Sequence, residues 1–479
     1  MDFTASNMSY DANGNILSMS QRGLQVGSIS LIDSLRYSYF TNSNQLQKVA
    51  DLSTGGGFMG DFKDSSSTGD DYTYDINGNI NRDNNRRMHG ASNAPGAVFN
   101  ILDKADSIVI ADKATTYYYY DAGGAMLAKK VNTYRPTGTT VKNYQYLGGF
   151  VYLNDTLQYT LIEGGRIRYA KKRNSATGDT FYAYEYDYFI SDHMGNVRSV
   201  VTEGRDTAIY QATMETARQT VEDATFANVY TPTNTVTNKS DVPAFDSDGA
   251  NQKVSVLNGN NNKVGAAIVL KVMAGDKIQL STYAYYNTTQ PPVSGVNLLS
   301  ELLNVLAGGV VNNSPGKLNG GNTSAVSTAL SPNVTNFLNN DRSYDNTKPK
   351  AYLNWIFFDN QFNFISGSSD AMQVDMTGST GKKAMVPSLQ TMPKNGYLYV
   401  YISNESNQNV YFDDITVRHT TGPLMQEQAY YPYGLEIQGL SDKALMKVPV
   451  SYKYNGGNEL EDEDEDEIYY QLQKKSLIL

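Results

Sequence analysis

The chain of 479 residues contains no cysteine, so disulfides, cysteine-ligated zinc and thiol chemistry are excluded. Only three histidines occur, His89, His193 and His419, and they stand in unrelated stretches, so a three-histidine metal site is not expected. The net charge is −10 and no Lys/Arg cluster exceeds a few residues, so we expect no nucleic-acid partner. No apolar run approaches the ~18 residues of a membrane-spanning helix, so no membrane span is expected.

The first residues, MDFTASNMSY, lack the basic and apolar regions of a signal peptide. The absence of cysteine suits a secreted or cell-surface protein that avoids redox chemistry. We therefore expect a secreted or surface protein whose export signal lies upstream or on another chain.

Tyrosine is the residue type that stands out, with 37 tyrosines against 16 phenylalanines and one tryptophan. Glycine is also frequent, with 40 residues, whereas charged residues make up only 18 % of the chain. Aromatic residues favour strands, and Gly, Asn and Asp favour the turns that end strands. The composition therefore predicts a mainly β protein, long enough for two or three domains.

A short motif, Tyr-Asp-x-x-Gly, recurs in the first part of the chain. It occurs in SYDANGNIL (9–17), YTYDINGNI (72–80) and YYYYDAGGAML (117–127). A degenerate copy, RYSYFTNSNQLQKV (36–49), has Asn44 where the glycine is expected. The residues singled out as the structural motif are Tyr10, Asp11, Gly14, Tyr74, Asp75, Gly78, Tyr120 and Asp121.

The physical meaning of this motif is a β-hairpin. Tyr72 and Tyr74 alternate along a strand and so face the same side. Asp75 can accept backbone N–H groups where the chain turns, and Gly78 can adopt a positive φ without a steric penalty. Because each hairpin leaves an open edge that the next hairpin covers, we expect one curled antiparallel sheet over residues 1–204.

From about residue 205 longer strands with a period of two appear, as in MAGDKIQLSTYAYY (273–286) and NGYLYVYISNES (395–406). They predict an inserted antiparallel β-sandwich of the jelly-roll type over 205–425. Within it, 287–349 is expected to be a long polar loop insertion with one short helix at 296–308. Tyrosine-rich strands return at 426–460. Eight acids in nine residues at 459–467 then predict a solvated, disordered tail over 461–479.

The stretch SDHMGNVRSV (191–200) has the residue types of a catalytic loop. A catalytic role for His193 would need a nucleophile or metal ligands beside it. The alternative is a strand–turn–strand in which Asp192 caps the turn, Gly195 takes the unusual dihedral angle, and Arg198 pairs with an acid or stacks on tyrosine. We favour this structural interpretation, which also gives Asn196 a place in the turn.

These motifs resemble the Rhs family of bacterial polymorphic toxins and surface proteins. Tyr-Asp-x-x-Gly-Asn resembles its YD repeat, and YFISDHMGNVRSVVT (188–202) resembles the start of the Rhs repeat-associated core. YYPYGLEIQGLS and YKYNGGNEL resemble the next blocks of that core in the form common among Bacteroidetes members. In that form a sandwich domain is interposed, with KVMAGDKI, AYLNWIFFD and GYLYVYISNES as its strands.

The resemblance implies a hollow shell of YD repeats that the core domain closes at one end. It also implies a variable C-terminal effector, released in several members by self-cleavage through aspartates of the core. This sequence departs from that pattern, because Gly457 and Asn458 interrupt the last block and no Asp-Pro dipeptide occurs. We therefore expect a non-enzymatic shell segment that serves encapsulation or cell contact, with an upstream YD-repeat shell or an effector as its partner.

Two other functions remain open. The inserted sandwich could bind carbohydrate or protein at the surface, with Tyr285 and Tyr286 as glycan-binding residues, while Trp355 in its apolar strand is expected to be core. A weaker alternative is a remnant of a self-cleaving toxin-delivery protein.

A calcium ion is the one cofactor considered. NVYFDDITV resembles the last strand of galactose-binding-like jelly rolls, where an acid can bind a structural Ca²⁺. The candidates here are Asp413 and Asp414, with Glu215 or Glu222 as a second carboxylate. The simpler interpretation is a pair of acids that end a strand near a loop.

Overall fold

The structure is a computed structural model that describes part of the chain in detail. The described residues are 2–25, 28–53, 60–64, 69–136, 138–173, 179–230, 236–242, 245, 252–287, 297–312, 323–377, 381–444, 448, 450–451, 453–454, 460–461 and 469–470. Strands make up 51 % and helices 13 % of the structure, and the sheets are antiparallel. The predicted mainly β fold is therefore confirmed.

The chain forms two compact units. The repeat unit comprises Met1–Gly204, Met425–Asp442 and Val448–Leu479. The inserted unit comprises Arg205–Leu424 and Lys443–Lys447.

The part of the repeat unit that precedes the insertion is a succession of hairpins. Its strands are β1 (Ala5–Tyr10), β2 (Ile16–Gln25), β3 (Ser28–Tyr39), β4 (Leu46–Asp51), β5 (Tyr72–Tyr74), β6 (Ile80–Asp83), β7 (Ala97–Phe99), β8 (Ala105–Ile110), β9 (Ala114–Tyr120), β10 (Met126–Arg135), β11 (Gly138–Leu147), β12 (Phe150–Leu153), β13 (Thr156–Ile162), β14 (Gly165–Arg173), β15 (Thr180–Ser191) and β16 (Val197–Thr202).

The remaining strands belong to the inserted unit and to the segment that returns after it. They are β17 (Thr207–Ala212), β18 (Val236–Asn238), β19 (Lys253–Leu257), β20 (Val264–Val272), β21 (Lys277–Tyr286), β22 (Ala351–Asp359), β23 (Asp370–Gln373), β24 (Lys383–Met385), β25 (Gln390–Thr391), β26 (Gly396–Asn404), β27 (Val410–Thr420), β28 (Leu424–Glu427), β29 (Asp442–Lys443), β30 (Leu460–Glu461) and β31 (Tyr469–Tyr470).

Helices are few. They are α1 (Gln219–Asp223), α2 (Leu299–Asn312) and α3 (Thr323–Asn336), and a π-helical turn, Phe337–Asp341, follows α3. Short 3-10 turns span Ala91–Asn93, Thr216–Arg218, Lys239–Asp241, Ser366–Ser368 and Pro432–Gly434. Within the part of the chain that the structure describes, none of these helices has the length and apolar character to cross a membrane.

Hairpin follows hairpin in the sheets of the repeat unit. A four-stranded sheet has the order β1-β2-β3-β4, and β5 pairs with β6. A twelve-stranded sheet then runs in uninterrupted sequence order from β7 to β16 and continues with β28 and β29. The strand that joins next to β16 therefore comes from beyond the inserted unit, and its Met425 packs with Val197 and Val200.

The inserted unit is a β-sandwich with one shared core. One sheet has the order β18-β19-β27-β21-β24, with β17 also paired to β27 and β25 to β21. The other has the order β20-β26-β22-β23. Apolar residues of both sheets form a single buried cluster, in which Phe412 and Leu280 of the first sheet join Leu398, Leu353 and Trp355 of the second.

Both faces of the second sheet are covered, because every residue of β20, β22 and β26 is buried. Helix α2 contacts the outer face of β20, where a Cβ on Gly309 would lie 2.5 Å from a methyl of Val269. The close approach of helix and sheet thus requires glycine at this position. A third layer, of helices, completes the sandwich on that side.

The segment expected at 287–349 to be a loop with one short helix differs from the expectation. The apolar stripe at 296–308 corresponds to α2, but a second helix, α3, follows it. Its buried residues, Val326, Leu330 and Val334, recur every fourth position among serines, threonines and asparagines. Such residues are weak helix formers, so α3 depends on packing rather than on propensity, and the sequence pattern did not predict it.

The predicted disordered tail, 461–479, lies almost entirely outside the described residues, which here are only Glu461 and Tyr469–Tyr470.

Candidate functional site

The Tyr-Asp-x-x-Gly motifs fold into one particular turn, which Asp75 illustrates. Its Oδ1 accepts the backbone N–H groups of Asn77 and Asn79 at 2.9 and 2.8 Å. Its own N–H donates to the Asn79 carbonyl at 2.9 Å, and the Gly78 N–H donates to the Asp75 carbonyl at 3.1 Å. Gly78 has a φ of +85°, in the left-handed region that favours glycine. The carboxylate thus satisfies the turn's free donors, and we call this arrangement the Asp turn.

Asp11, Asp121 and Asp192 form the same Asp turn. Each aspartate accepts the N–H groups of the second and fourth residues after it at 2.8–3.0 Å. The residue in the glycine position has a φ of +84° at Gly14, +82° at Gly124 and +83° at Gly195. The stretch that looked most like a catalytic loop is therefore a fourth example of the repeat turn.

The tyrosine before the aspartate connects its hairpin to the one before it. The Tyr74 hydroxyl donates to the Leu46 carbonyl at 2.8 Å, and the Tyr120 hydroxyl donates to the Ala105 carbonyl at 3.1 Å. A hydroxyl at the end of an aromatic ring reaches such a carbonyl while the ring packs on the sheet. Tyrosine supplies both the hydrogen bond and the packing of the ring, whereas phenylalanine would supply only the packing.

Asparagines link one turn to the next. The side chains of Asn13 and Asn15, in the first Asp turn, both donate to Asn44 Oδ1, at 3.1 and 2.9 Å. Asn44 was expected in the glycine position of a degenerate repeat, but the residue with positive φ there is Asn42, at +58°. Asn44 instead accepts hydrogen bonds from the neighbouring turn. In the same way Asn77 and Asn79 donate to Asp103 Oδ1, at 2.9 and 3.2 Å.

Asp192 also orients an arginine towards the returning segment. Arg198 Nε donates to Asp192 Oδ2 at 2.9 Å, and its guanidinium carbon lies 5.0 Å from the ring centre of Tyr430. The Tyr430 hydroxyl lies within hydrogen-bond distance of the carbonyls of Val197 and Lys453, at 3.1 and 3.2 Å, and can donate its hydrogen to either. The Asp192 motif thereby joins the end of the hairpin series to residues that follow the insertion.

Electrostatics at Asp192 follow from these contacts. Partial burial raises the pKa of its carboxyl, but hydrogen bonds from Asn196 and Arg198 outweigh that effect and hold the pKa well below its ordinary value. His193, next in sequence, is exposed. Among the described residues no histidine belongs to a group of three potential metal ligands. His89 is half-buried and His419 is buried.

A buried charge network that the sequence interpretation missed lies in the twelve-stranded sheet. Arg168 Nε contacts Asp187 Oδ2 at 2.6 Å, and Arg168 Nη2 contacts Glu185 Oε2 at 2.8 Å. Arg166 Nε contacts Asp187 Oδ2 at 2.8 Å. The signal was present in the sequence, because arginines at 166 and 168 face acids at 187 and 185 across paired strands.

Of the residues considered for calcium, Asp413 is fully buried and forms an ion pair with Lys239 Nζ at 2.6 Å. Burial raises the pKa of Asp413 to about 6, although Lys239 opposes that effect. Asp414 is half-buried, with a φ of +50°. The charged group closest to Asp413 is therefore the ammonium of Lys239. The calcium ion stays a prediction.

The glutamates proposed to assist have hydrogen-bond partners of their own, although Glu215 Oε1 also lies 3.7 Å from Lys239 Nζ, the ammonium that pairs with Asp413. Glu215 accepts the backbone N–H groups of Gln252 and Lys253, at 2.8 and 2.9 Å. Glu222 accepts the Thr213 N–H at 2.9 Å and the Tyr230 hydroxyl at 3.0 Å. Both carboxylates connect segments of the inserted unit.

The glycan-binding candidates point in different directions. Tyr286 is 7 % exposed and belongs to the core of the sandwich. Tyr285 is half-buried and packs against Phe245 and Tyr411, with ring centres 6.4 and 6.2 Å away. Because neighbouring residues of a strand face opposite sides, these two tyrosines form no common platform.

A cleft of ≈ 450 Å³ opens at the edge of the sandwich and involves Trp355. Ser366, Ser368 and Asp370 line one side, and Ser388 and Gln390 line the other. Trp355 is 4 % exposed, and its indole N–H donates to no acceptor among the described residues. The cleft thus combines hydroxyl, amide and carboxylate groups beside a tryptophan that is itself almost fully buried.

No family model matches the chain, and no curated protein matches it. The structure is similar to parts of two crystal structures, those of TcdB2-TccC3 and of TcdB2-TccC3-Cdc42, with a TM-score of 0.17 in each case. The first likeness has 10 % identity and covers 43 % of this chain and 16 % of that chain; the second has 11 % identity and covers 98 % and 24 %. This chain thus spans a quarter or less of either, and a TM-score this low does not establish a shared fold.

Proposed function

We propose that the chain is a non-enzymatic wall segment of an Rhs-type secreted or cell-surface protein, which encloses other material or contacts another cell. The observation that carries this proposal is the Asp turn at Asp192. The motif with the residue types of a catalytic site makes the same hydrogen bonds as the turns at Asp11, Asp75 and Asp121. A group that serves in four places to close a hairpin is best explained as architecture.

The chemistry of the other motif residues supports the same proposal. The aspartate carboxylates accept backbone N–H groups, and the hydroxyls of Tyr74 and Tyr120 donate to carbonyls of neighbouring strands. Groups held in this way serve backbone contacts, which supports a structural role for the motif. Hairpins that each cover an edge of the one before are suited to build an extended wall.

The partner in this proposal is a YD-repeat shell or an effector encoded upstream. A protease-protection assay tests the enclosing role. A protease-sensitive reporter is fused after residue 479, and its cleavage is measured for the chain alone and for the chain co-expressed with a YD-repeat product of a neighbouring reading frame. Shielding in either preparation supports the proposal. Cleavage as fast as that of the free reporter in both preparations contradicts it.

The non-enzymatic part of the proposal has its own test. The purified chain is incubated for days and examined by intact-mass spectrometry. We expect a single unchanged mass. Fragments that disappear when an aspartate at the cleavage point is changed to asparagine would support the self-cleaving alternative instead.

A second candidate function, glycan binding by the inserted sandwich, is favoured by the cleft at Trp355. Sugars are bound by fixed hydroxyl, amide and carboxylate partners, and this cleft offers these three kinds of group next to Trp355. A glycan array with the full chain tests it. Specific hits that are lost in Gln390→Ala and Ser388→Ala, and retained in the neighbouring exposed variant Val386→Ala, would support binding; no hits, or hits unaffected by these changes, would reject the cleft.

A further inference from the structure

Three aspartates converge near the end of the four-stranded sheet of the repeat unit. Asp33 lies on β3, Asp51 ends β4, and Asp61 follows shortly after in the sequence. One carboxylate oxygen from each of them lies within 4.8 Å of the other two. Neither the repeat motif nor the proposed wall function assigns a role to these residues.

Asp33 is the member of the group that calls for an explanation. Its side chain is only 1 % exposed, so water does not solvate the carboxylate. Oδ1 accepts the Phe62 N–H at 2.7 Å, whereas Oδ2 accepts no hydrogen bond from any residue that the structure describes. A buried carboxylate oxygen without a donor is costly, and a bound ion is one of the few partners that removes the cost.

The charges around Asp33 make the situation worse rather than better. Asp51 and Asp61 place two further carboxylates beside Asp33, and the hydrogen bond to Asp33 comes from the Phe62 N–H. The site therefore concentrates negative charge around a group that is poorly solvated. A cation between the three carboxylates would reverse this penalty.

The carboxylates are held in place by backbone contacts. Asp51 Oδ1 accepts the N–H groups of Ser34 and Ser53, both at 2.8 Å, and Asp51 Oδ2 accepts the Ser53 hydroxyl at 2.7 Å. Ser34 adjoins Asp33, and Phe62, which donates to Asp33, adjoins Asp61. Asp51 and Asp33 are thus each attached to the backbone next to another ligand, and little rearrangement of these two is needed to bind an ion.

We propose that Asp33, Asp51 and Asp61 bind one divalent cation, with calcium as the ion that fits best. Calcium takes oxygen ligands at about 2.3–2.6 Å, so two oxygens on opposite sides of the ion lie about 4.8 Å apart. The three oxygens found here fit within that diameter. Magnesium demands a tighter octahedron with ligands at about 2.1 Å and gives up its water reluctantly, so it should bind more weakly. The bound ion would tie residues 60–62 to strand β3.

The site includes none of the acids considered earlier for calcium, which were Asp413, Asp414, Glu215 and Glu222. It also goes beyond the wall function, since a wall of hairpins needs no metal. Its failure would leave the proposed function as it stands.

Terbium luminescence tests the proposal with the full chain. Terbium replaces calcium at oxygen sites, and a nearby tyrosine sensitises its emission; Tyr37 lies close enough to Asp33 for the carboxylate charge to contribute to its raised pKa. We expect a saturable terbium signal that calcium displaces at least ten times more effectively than magnesium. Asp33→Asn should lower terbium affinity at least tenfold. The control variant Asp112→Asn, which changes an exposed aspartate of the same unit, should leave it unchanged.

A second variant distinguishes the loss of a metal ligand from misfolding. Asp61→Asn removes a half-buried ligand, and circular dichroism establishes that either variant keeps its strands. Calcium should raise the melting temperature of the wild type and of Asp112→Asn but not of either ligand variant. The acids at 459–467 can bind terbium without specificity, which is why the difference between variants is the readout. A wild type with no saturable signal, or folded Asp33→Asn and Asp61→Asn variants that bind as the wild type does, would overturn the proposal.

Discussion

The hydroxyl groups of Tyr10 and Tyr433 lie 2.7 Å apart, although 423 residues separate these tyrosines in the chain. Tyr10 ends the first strand, and Tyr433 belongs to the segment that returns after the inserted unit. This hydrogen bond, together with burial, raises the pKa of Tyr433 to about 12. The first repeat and the returning segment are therefore in contact within the repeat unit.

The Tyr10–Tyr433 bond can be measured by a double-mutant cycle. Tyr433→Phe should lower the free energy of unfolding by up to ~1 kcal/mol, because a net hydrogen bond between neutral groups contributes about that much. Tyr10→Phe in the Tyr433→Phe background should then have almost no further effect. Strictly additive losses in chemical denaturation would show that the two hydroxyls do not interact.

Replacement of glycine by alanine should have opposite effects on stability at Gly14, in an Asp turn, and at Gly308, in helix α2. A Cβ at Gly14 or at Gly308 would meet no atom within 4 Å, but Gly14 has a φ of +84° and Gly308 lies in α2. Gly14→Ala should destabilise by ~1–2 kcal/mol because alanine resists the left-handed conformation. Gly308→Ala should stabilise by up to ~1 kcal/mol because alanine favours a helix. Thermal and chemical denaturation of the two variants check both signs, and equal signs would contradict the turn geometry.

The lowered pKa of Asp192 predicts how the stability of the folded chain depends on pH. Its pKa in the folded chain lies below the ordinary value of 3.8, so the charged form favours folding. The stabilisation is present above about pH 4 and is lost as the pH falls through the folded pKa. Asp192→Asn should therefore melt below the wild type at pH 7, and the difference in melting temperature should shrink towards pH 2–3.

The neighbouring residue supplies the control for that experiment. His193 is exposed and His193→Ala should melt as the wild type does at both pH values. A melting temperature of Asp192→Asn that equals the wild type's at neutral pH, or a difference that does not change with pH, would argue against the charge at Asp192 as the stabilising factor.

The buried network predicts a large loss of stability. Asp187 is fully buried between Arg166 and Arg168, and burial, which raises its pKa, is outweighed by the two arginines, which lower it. Asp187→Asn leaves two buried arginines without their shared partner and should cost ~3–5 kcal/mol. The exposed pair of Arg87 and Asp112, at 2.6 Å, gives the control: Asp112→Asn should cost less than ~1 kcal/mol. Urea denaturation compares them, and similar losses would contradict the role of burial.

The repeat hairpins could be predicted from the sequence because every step is local. The alternation of Tyr72 and Tyr74, the acid at 75 and the glycine at 78 lie within seven residues, and propensity and turn chemistry agree there. The strands of the sandwich could be predicted for the same reason. Contacts between residues that lie far apart in the sequence, on different strands or helices, could not be predicted.

One Asp turn could not be recognised in the sequence because it has no glycine. Asp359 in the inserted unit accepts the N–H groups of Gln361 and Asn363 at 3.0 and 2.9 Å, as in the repeats. Phe362 stands in the glycine position with a φ of +62°. Its ring is buried and stacks on Tyr397, with ring centres 5.4 Å apart. Packing compensates for backbone strain there, and sequence spacing alone does not reveal packing.

The contacts of the charged sites could not be predicted from the sequence either. Asp413 was considered as a metal ligand because NVYFDDITV resembles the last strand of galactose-binding-like jelly rolls, but no sequence pattern joins it to Lys239, which lies far earlier in the chain. Asp33 and Asp51 stand apart in the sequence and meet only because β3 pairs with β4. Long-range pairing of this kind is a property of the sheet rather than of any short segment.

The place of β28 beside β16 has a consequence for synthesis on the ribosome. The strands from β7 to β16 can each pair with their predecessor as soon as they emerge, but β16 must wait for a strand that begins at Leu424. At roughly 5–20 residues per second, the intervening stretch takes on the order of tens of seconds to translate. During that time a bare strand edge is exposed to other nascent chains, so slow elongation or delayed closure should favour aggregation over correct assembly.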